Sequence, residues 1–215
     1  MKRFMMSSVV LAASSSLAGA GAIEPTAQYF PVSYNGALLL GLDLNGTNTS
    51  FGQSFLALTS GALHSIQIGE FFHSEAGNVA QQALRINFFD VTDTGGMPAG
   101  APLRSWSVPA SEIPLNVLLS PEFVYTGQPM PIIAGRRYAF SLGTAFGTNV
   151  NFNAPYSVGG SFGDPYVDGS GLRIDIGPFD AGLDVGFRVN VNVPGPGALC
   201  TFGLAGAAAL RRRRR

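Results

Sequence analysis

The sequence contains little cysteine, histidine and lysine, and these absences exclude several kinds of chemistry. Cys200 is the single cysteine among 215 residues, so an intramolecular disulfide is impossible. His64 and His73 are the only histidines, whereas a zinc site needs three or four ligands. We therefore expect neither zinc nor thiol chemistry, and we predict that both histidines are ordinary strand residues.

Charged residues are also few, at 12%, and they are unevenly distributed. Lys2, Arg3 and the C-terminal arginines supply seven of the 13 basic residues, and residues 23–193 contain the other six. All 13 acidic residues lie in that central stretch, which therefore carries a net charge of −7. Because nucleic acids are bound through contacts between cations and phosphates, we expect no nucleic-acid partner.

Low charge also disfavours long amphipathic helices, which need a polar face, and 28 glycines and 14 prolines favour turn-rich β structure. Several short segments alternate apolar and polar residues, which is typical of strands with one buried face. They are Leu63–Ile68, Leu84–Val91, Tyr138–Leu142, Leu172–Ile176 and Val185–Val191. We predict an all-β domain of about nine or ten strands, arranged as an antiparallel two-sheet β-sandwich. The only candidate for a helix inside this domain is Glu75–Gln82.

The N-terminus has the three parts of a secretory signal peptide. Lys2 and Arg3 form a basic start, and Met5–Leu17 form a weakly apolar segment. Small residues follow, and Ala20 and Ala22 each stand where signal peptidase would cut. We predict a signal helix within residues 1–22, export through the Sec translocon, and cleavage by signal peptidase.

The C-terminus combines a short apolar run with a basic end. As a helix, Ala198–Leu210 would span about 20 Å, which is less than the roughly 30 Å hydrocarbon core of a bilayer. The membrane stop that we predict consists of Arg211, Arg212, Arg213, Arg214 and Arg215. We therefore expect a signal peptide at 1–22, a β-sandwich domain at 23–192, and a short membrane helix within a tail at 193–215.

This tail resembles the PEP-CTERM sorting signal of exported bacterial proteins. The resemblance rests on the motif Val193, Pro194, Gly195, Pro196, on the short apolar segment that follows it, and on the terminal arginines. Gly195 stands where that family has a glutamate. The resemblance implies processing by an exosortase, a membrane protease, after transient anchoring in the inner membrane. The protein would then reach the cell surface or the exopolysaccharide matrix.

The central region resembles the jelly-roll domains of exported bacterial proteins. The resemblance covers about residues 50–191 and rests on Phe89–Val91, Pro102–Val108 and Ile133–Phe140. It implies a jelly-roll type of β-sandwich and no particular activity.

The residues do not form a recognisable catalytic motif. Gly159–Gly163 matches the G-x-S-x-G nucleophile elbow, but that motif needs a following helix and a later histidine, and both histidines come earlier. The five glutamates after residue 22 form no recognisable pair of the kind that glycosidases use. We predict that the protein is not an enzyme and needs no cofactor, apart from a possible structural calcium ion.

Two sets of residues are candidates for binding. Trp106, Tyr156 and Tyr166 are candidates to offer aromatic faces to a carbohydrate, although the alternation of Trp106 with Arg104 and Val108 favours a core or half-buried place for it. For calcium, the candidate ligands are Asp90 with Asp93 and Asp164 with Asp168, all in loops. Side-chain turns of the Asx type explain the same aspartates.

Together these patterns predict an exported, non-enzymatic surface or matrix protein that is structural or binds extracellular polysaccharide weakly. Two alternatives remain open from the sequence: a secreted glycoside hydrolase with unrecognised carboxylates, and a calcium-stabilised adhesion module that binds another protein.

Overall fold

The computed structural model describes residues 21–31, 33–34, 36–42, 48–74, 83–144, 156–162, 166–173, 177–178 and 183–195. Within this part of the chain, Ile23–Val193 forms one compact unit. The predicted helical stretch 75–82, the apolar run 198–210 and most of the predicted signal peptide lie outside the described residues. No helix among the described residues is long and apolar enough to cross a lipid bilayer.

The described elements are almost entirely strands, as the alternating sequence predicts. In chain order they are β1 (Ala22–Tyr29), β2 (Gly36–Leu42), β3 (Asn48–Thr49), β4 (Phe51–Leu56), β5 (Gly61–Ile68), β6 (Phe71–His73), β7 (Leu84–Asp90), β8 (Arg104–Val108), β9 (Leu118–Leu119), β10 (Glu122–Val124), β11 (Pro131–Ile132), β12 (Arg137–Thr144), β13 (Tyr156–Phe162), β14 (Gly171–Arg173), β15 (Gly177–Pro178), β16 (Leu183–Val185) and β17 (Phe187–Val193). The 3-10 turn Ala110–Glu112 precedes β9. The strands outnumber the expected nine or ten because several are pieces of longer strands with a short break.

One layer of the fold is a six-stranded sheet in the order β15-β14-β4-β12-β7-β8. We call it the regular layer, because its central pairings run without a register shift over six residue pairs between β12 and β4 and seven between β12 and β7. Every residue of β12 except Arg137 is buried. This layer therefore has a strand at its centre that is covered on both faces.

The other side of the core is built by two sheets that share interrupted strands. One has the order β1-β17-β5-β10, with β11 also paired to β5, and the second has the order β3-β2-β13-β6-β9, with β16 also paired to β13. β5 continues into β6, β9 into β10 and β16 into β17 after one or two residues. At the break, the amide of Gly69 donates a hydrogen bond of 2.7 Å to the carbonyl of Gly186. We call these two sheets together the forked layer.

An apolar core lies between the regular layer and the forked layer. Phe187 of β17 contributes a ring whose centroid is 5.8 Å from that of Phe55 on β4 and 5.7 Å from that of Phe140 on β12. All three side chains are fully buried. Burial of large aromatic side chains from both sides is a dominant source of stability in such a core.

The structure confirms the prediction of an all-β domain with antiparallel sheets, and its arrangement is consistent with a β-sandwich. Each pairing whose register is described is antiparallel. The expectation of two sheets needs one refinement, because three hydrogen-bonded sheets are present among the described strands. The extra sheet arises where the forked layer divides at the breaks in its strands.

Candidate functional site

The outward face of the forked layer carries four polar side chains in one line across adjacent strands. Glu122 of β10 pairs with Gln67 of β5, and Gln67 pairs with Arg188 of β17. The Nε of Arg188 then donates a hydrogen bond of 3.0 Å to Oε1 of Gln28 on β1. We call these four residues the polar row. With a strand spacing of about 4.8 Å, the row extends about 14 Å across the sheet.

Strand geometry explains why these side chains point away from the core. Ile66, Ile68, Phe187 and Val189 are all fully buried in the core. Gln67 stands between the two isoleucines in the chain, and Arg188 stands between Phe187 and Val189. Because successive side chains in a strand point to opposite faces, Gln67 and Arg188 lie on the outer face.

At the β10 end of the row, the carboxylate of Glu122 is held by a neighbouring polar pair. Its Oε1 accepts a hydrogen bond of 2.9 Å from Nδ2 of Asn190 and a second, short one from the hydroxyl of Ser65. Nδ2 of Asn190 also lies 3.0 Å from Oγ of Ser65. Both Ser65 and Asn190 are buried, so they fix Glu122 from below while the residue itself stays exposed.

The other members of the row are also held in place. Nε2 of Gln67 donates to Oγ of Ser120 over 3.2 Å. The guanidinium carbon of Arg188 lies 5.3 Å above the ring centroid of Phe30, within the range of a cation–π contact. These contacts reduce the entropy that the side chains would lose when a ligand binds.

Each member of the polar row keeps hydrogen-bonding capacity that no described residue uses. The atoms are Oε2 of Glu122, Oε1 of Gln67, the two Nη groups of Arg188 and Nε2 of Gln28. The row is therefore a preorganised set of acceptors and donors on a partly exposed surface.

A groove lies elsewhere, beside the 3-10 turn that leads from β8 toward β9. It has a volume of about 720 Å³, and His73, Ser107, Ser111 and Ile113 contribute to its lining. A smaller cavity of about 300 Å³ shares Ile113 and Pro114 with it. His73 is 1% exposed, and its Nδ1 lies 2.9 Å from the carbonyl oxygen of Ile113. The predicted role of His73 as an ordinary strand residue fits this position, since the ring fastens the turn to β6.

The three aromatic residues predicted to bind carbohydrate lie in separate places. Trp106 is partly buried on β8 with its ring centroid 5.1 Å from that of Tyr125, and its Nε1 has no hydrogen-bond partner among the described residues. Tyr156 is 1% exposed and stacks on His73 at 4.6 Å, and burial raises its pKa to about 12. The structure does not bring these residues together, and the burial of Tyr156 leaves it no face for a ligand.

Tyr166 is the third member of that predicted set, and it packs against the core edge. Its ring meets Phe187 edge-on at 5.2 Å and Tyr29 at 5.8 Å. Burial, with a smaller contribution from the charge of Asp168, raises the pKa of Tyr166 to about 12. These contacts give Tyr166 a structural role.

The aspartates predicted to bind calcium are engaged in turns where the structure describes them. Asp90 accepts hydrogen bonds from the amide of Thr92 over 3.1 Å and from its hydroxyl over 2.7 Å, and it forms an ion pair of 2.7 Å with Arg136. Asp93 is exposed in the following turn. The contacts of Asp90 match the alternative of an Asx turn.

The second predicted calcium pair is only partly described. Asp164 lies outside the described residues. Asp168 lies in a turn, and its backbone carbonyl oxygen accepts a hydrogen bond of 2.8 Å from Nη1 of Arg137. Across the described ranges, no three side chains of the metal-binding types cluster together.

The first four residues of the G-x-S-x-G segment lie in a strand, Gly163 lies outside the described residues, and the first glycine has a packing role. Gly159 lies in β13, and a Cβ there would meet Tyr34 Cδ1 at 2.8 Å and Glu70 at 2.6 Å. A Cβ at Gly69 or Gly186 would overlap the Tyr34 hydroxyl. Three glycines thus make room for one tyrosine ring where the forked layer divides. Burial, followed by the charge of Glu70 and the proximity of Tyr29, raises the pKa of Tyr34 to about 12.

A buried polar contact crosses the core between the regular layer and the forked layer. Gln53 of β4 and Asp184 of β16 are both fully buried, and Nε2 of Gln53 donates to the Asp184 carboxylate over 2.6 Å. Gln53 accepts in return from the amide of Val185 at 3.0 Å, and Asp184 accepts from the amide of Tyr166 at 3.2 Å. This carboxylate therefore ties the layers together.

Sequence reasoning missed both the polar row and Tyr34. The signal for the row was present, because alternation in Leu63–Ile68 and Val185–Val191 already assigns Gln67 and Arg188 to an outer face. What the sequence does not contain is the register that aligns them with Glu122 and Gln28.

The residues predicted for sorting and signal cleavage lie at the limits of the described chain. Ala22 is the first residue of β1, and Ala20 lies outside the described residues. Val193 ends β17, Pro194 and Gly195 follow it, and Pro196 and Arg211–Arg215 lie outside the described residues. No known protein family matches the chain, and no curated protein matches it.

Proposed function

We propose that this protein is exported to the cell surface or the extracellular matrix, where its β-sandwich binds polysaccharide through the polar row without catalysing a reaction. The observation that carries the binding role is the alignment of Glu122, Gln67, Arg188 and Gln28 across four strands. Each member keeps a donor or an acceptor atom that no described residue uses, and sugar hydroxyls pair with both kinds of atom.

The hydrogen bonds of three described carboxylates support a role in binding over a role in catalysis. Asp90, Asp184 and Glu122 each accept at least two hydrogen bonds that fix a turn, the two layers or a surface cluster. A general acid or base must be free to exchange a proton with a substrate, whereas Asp90 and Asp184 hold the scaffold and Glu122 keeps only Oε2 for a ligand.

The terminal sequences support export and sorting. A basic and apolar start predicts Sec-dependent export, and Val193–Pro196 with the following apolar run and arginines resembles the substrate of an exosortase. A jelly-roll sandwich held transiently at the inner membrane and then released would present the polar row to the matrix polysaccharide.

Affinity electrophoresis of the full chain through gels containing exopolysaccharide from the producing organism tests the proposal. We expect retardation that is weakened in Gln67→Ala and kept in Asn192→Ala, a control on the same strand as Arg188 with an exposed side chain. Equal mobility with and without polysaccharide would overturn the binding role. Release of reducing sugar from the same polymer would overturn the non-catalytic role.

A further inference from the structure

We infer that the polar row selects an uncharged, hydroxyl-rich glycan over an acidic one, an inference that rests on the proposed polysaccharide-binding function. The argument uses the order of hydrogen-bonding atoms along the row and the charge around it.

The free atoms of the row are ordered by type. Glu122 and Gln67, at the β10 side, have one oxygen each that is occupied by no described residue, since Oε1 of Glu122 and Nε2 of Gln67 are already engaged. Arg188 and Gln28, at the β1 side, have free N–H groups, because Nε of Arg188 already donates to Oε1 of Gln28. Acceptors therefore line one half of the row and donors line the other half.

A hydroxyl group matches both halves, because it donates and accepts. A chain of neutral sugars laid along the row would donate to Glu122 and Gln67 and accept from Arg188 and Gln28. A uronate carboxylate only accepts when ionised, so it would suit the Arg188 half and leave the acceptors of the other half opposed to negative charge.

Charge disfavours acidic polymers further. The single cation of the row, Arg188, is balanced by Glu122, and residues 23–193 carry a net charge of −7. Repulsion between this unit and a polyanion acts over the Debye length, about 10 Å at 0.1 M salt. A neutral polymer carries no charge and is therefore not repelled.

The test compares dextran with polygalacturonate as gel-embedded ligands for the full chain in affinity electrophoresis. We expect retardation by dextran that is unchanged by added salt, and weaker retardation by polygalacturonate at low salt. Loss of one hydrogen bond in Gln67→Ala should weaken dextran binding by about fivefold, and Arg188→Ala should weaken it by about tenfold. Asn192→Ala should leave it unchanged.

Glu122→Gln provides the discriminating variant, because it removes the charge and retains an oxygen that can accept from Asn190 and Ser65. It should strengthen polygalacturonate binding by about threefold or more and change dextran binding less. Thermal unfolding of each variant verifies that it is folded.

The outcomes separate the two claims. Stronger retardation of the unsubstituted chain by polygalacturonate, with sensitivity to Gln67→Ala, would overturn the selectivity and leave the polysaccharide-binding function standing. Retardation by neither polymer, together with no retardation by the organism's own exopolysaccharide, would overturn both.

Discussion

The two layers of the sandwich solve the same folding problem in different ways. In the regular layer, β12 pairs with β4 and β7 over their whole length, and almost every one of its residues is buried. In the forked layer, β5, β9 and β16 each stop and resume as a second strand, and β13 is shared among β2, β6 and β16. Interrupted strands cost continuous pairing, but they let one layer form two differently directed surfaces.

The two layers also differ in the residues that they carry. The regular layer contributes Phe55, Phe88 and Phe140 to the core. The forked layer contributes core residues too, but it also carries the polar row and the glycines that accommodate Tyr34. A layer with an unbroken register supplies stability, and the broken one has more freedom to carry a binding surface.

The largest expected effect tests whether the two layers depend on one core. Phe187→Ala removes a ring that contacts Phe55 and Phe140 across the interface, and we expect it to lower the free energy of unfolding by about 3–5 kcal/mol. Urea denaturation measures this loss. Val167→Ala, at a side chain that is 87% exposed, should change stability by about 0.5 kcal/mol or less. Similar losses for both variants would show that the layers do not share this core.

The next effect concerns the polar contact between the layers. Asp184→Ala removes the shorter of the two hydrogen bonds that Nε2 of the buried Gln53 donates and leaves only the 3.3 Å bond to the Ser54 carbonyl, so we expect a loss of about 1–3 kcal/mol in unfolding free energy. The double variant Gln53→Leu, Asp184→Leu should lose less free energy of unfolding than the single variants Gln53→Leu and Asp184→Leu lose together. A double-mutant cycle measures this difference. Additive losses would contradict a direct coupling.

A smaller effect isolates the fork itself. In Gly186→Ala, the three atoms nearest the new methyl group all belong to Tyr34, so we expect a loss of about 2 kcal/mol. In a Tyr34→Ala background the same change should cost almost nothing, because the space is then empty. Thermal denaturation of the four proteins gives the comparison, and an equal cost in both backgrounds would mean that Tyr34 is not what excludes a side chain.

The smallest effect is on pH dependence. Burial raises the pKa of Tyr156 from 10.0 to about 12, so the unfolded chain ionises this tyrosine before the folded chain does. Stability from this group is therefore present below pH 10 and is lost as the pH rises toward about 12. Ultraviolet titration of tyrosinate should show a late-ionising component to which Tyr34, Tyr156 and Tyr166 contribute, and Tyr156→Phe should reduce its amplitude by about one third. An unchanged titration curve in that variant would contradict the assignment.

Alternation along the chain was enough to predict β structure with antiparallel sheets, because the side-chain period of a strand is a local property. It was also enough to place Gln67 and Arg188 away from the core. In the turn after β7, Gly95 and Gly96 adopt φ values of +68° and +92°, which glycine reaches without strain.

The features that the sequence did not predict depend on contacts between distant segments of the chain. Trp106, Tyr156 and Tyr166 were grouped by residue type, but Trp106 and Tyr156 lie on strands of different sheets and Tyr166 lies outside the strands, so the three lie apart. Gly159 was read for its motif, although its role follows from Tyr34, which is 125 residues away in the chain. Register and packing of this kind arise from tertiary structure and leave no local pattern.

The position of β17 has a consequence for how the chain reaches its folded state. This strand lies between β1 and β5, and its inward residues Phe187, Val189 and Val191 are fully buried. During synthesis from the N-terminus, the first strand therefore has no neighbour until the last one emerges, and the core cannot close before then. Completion of this sheet is therefore a late and long-range event in folding.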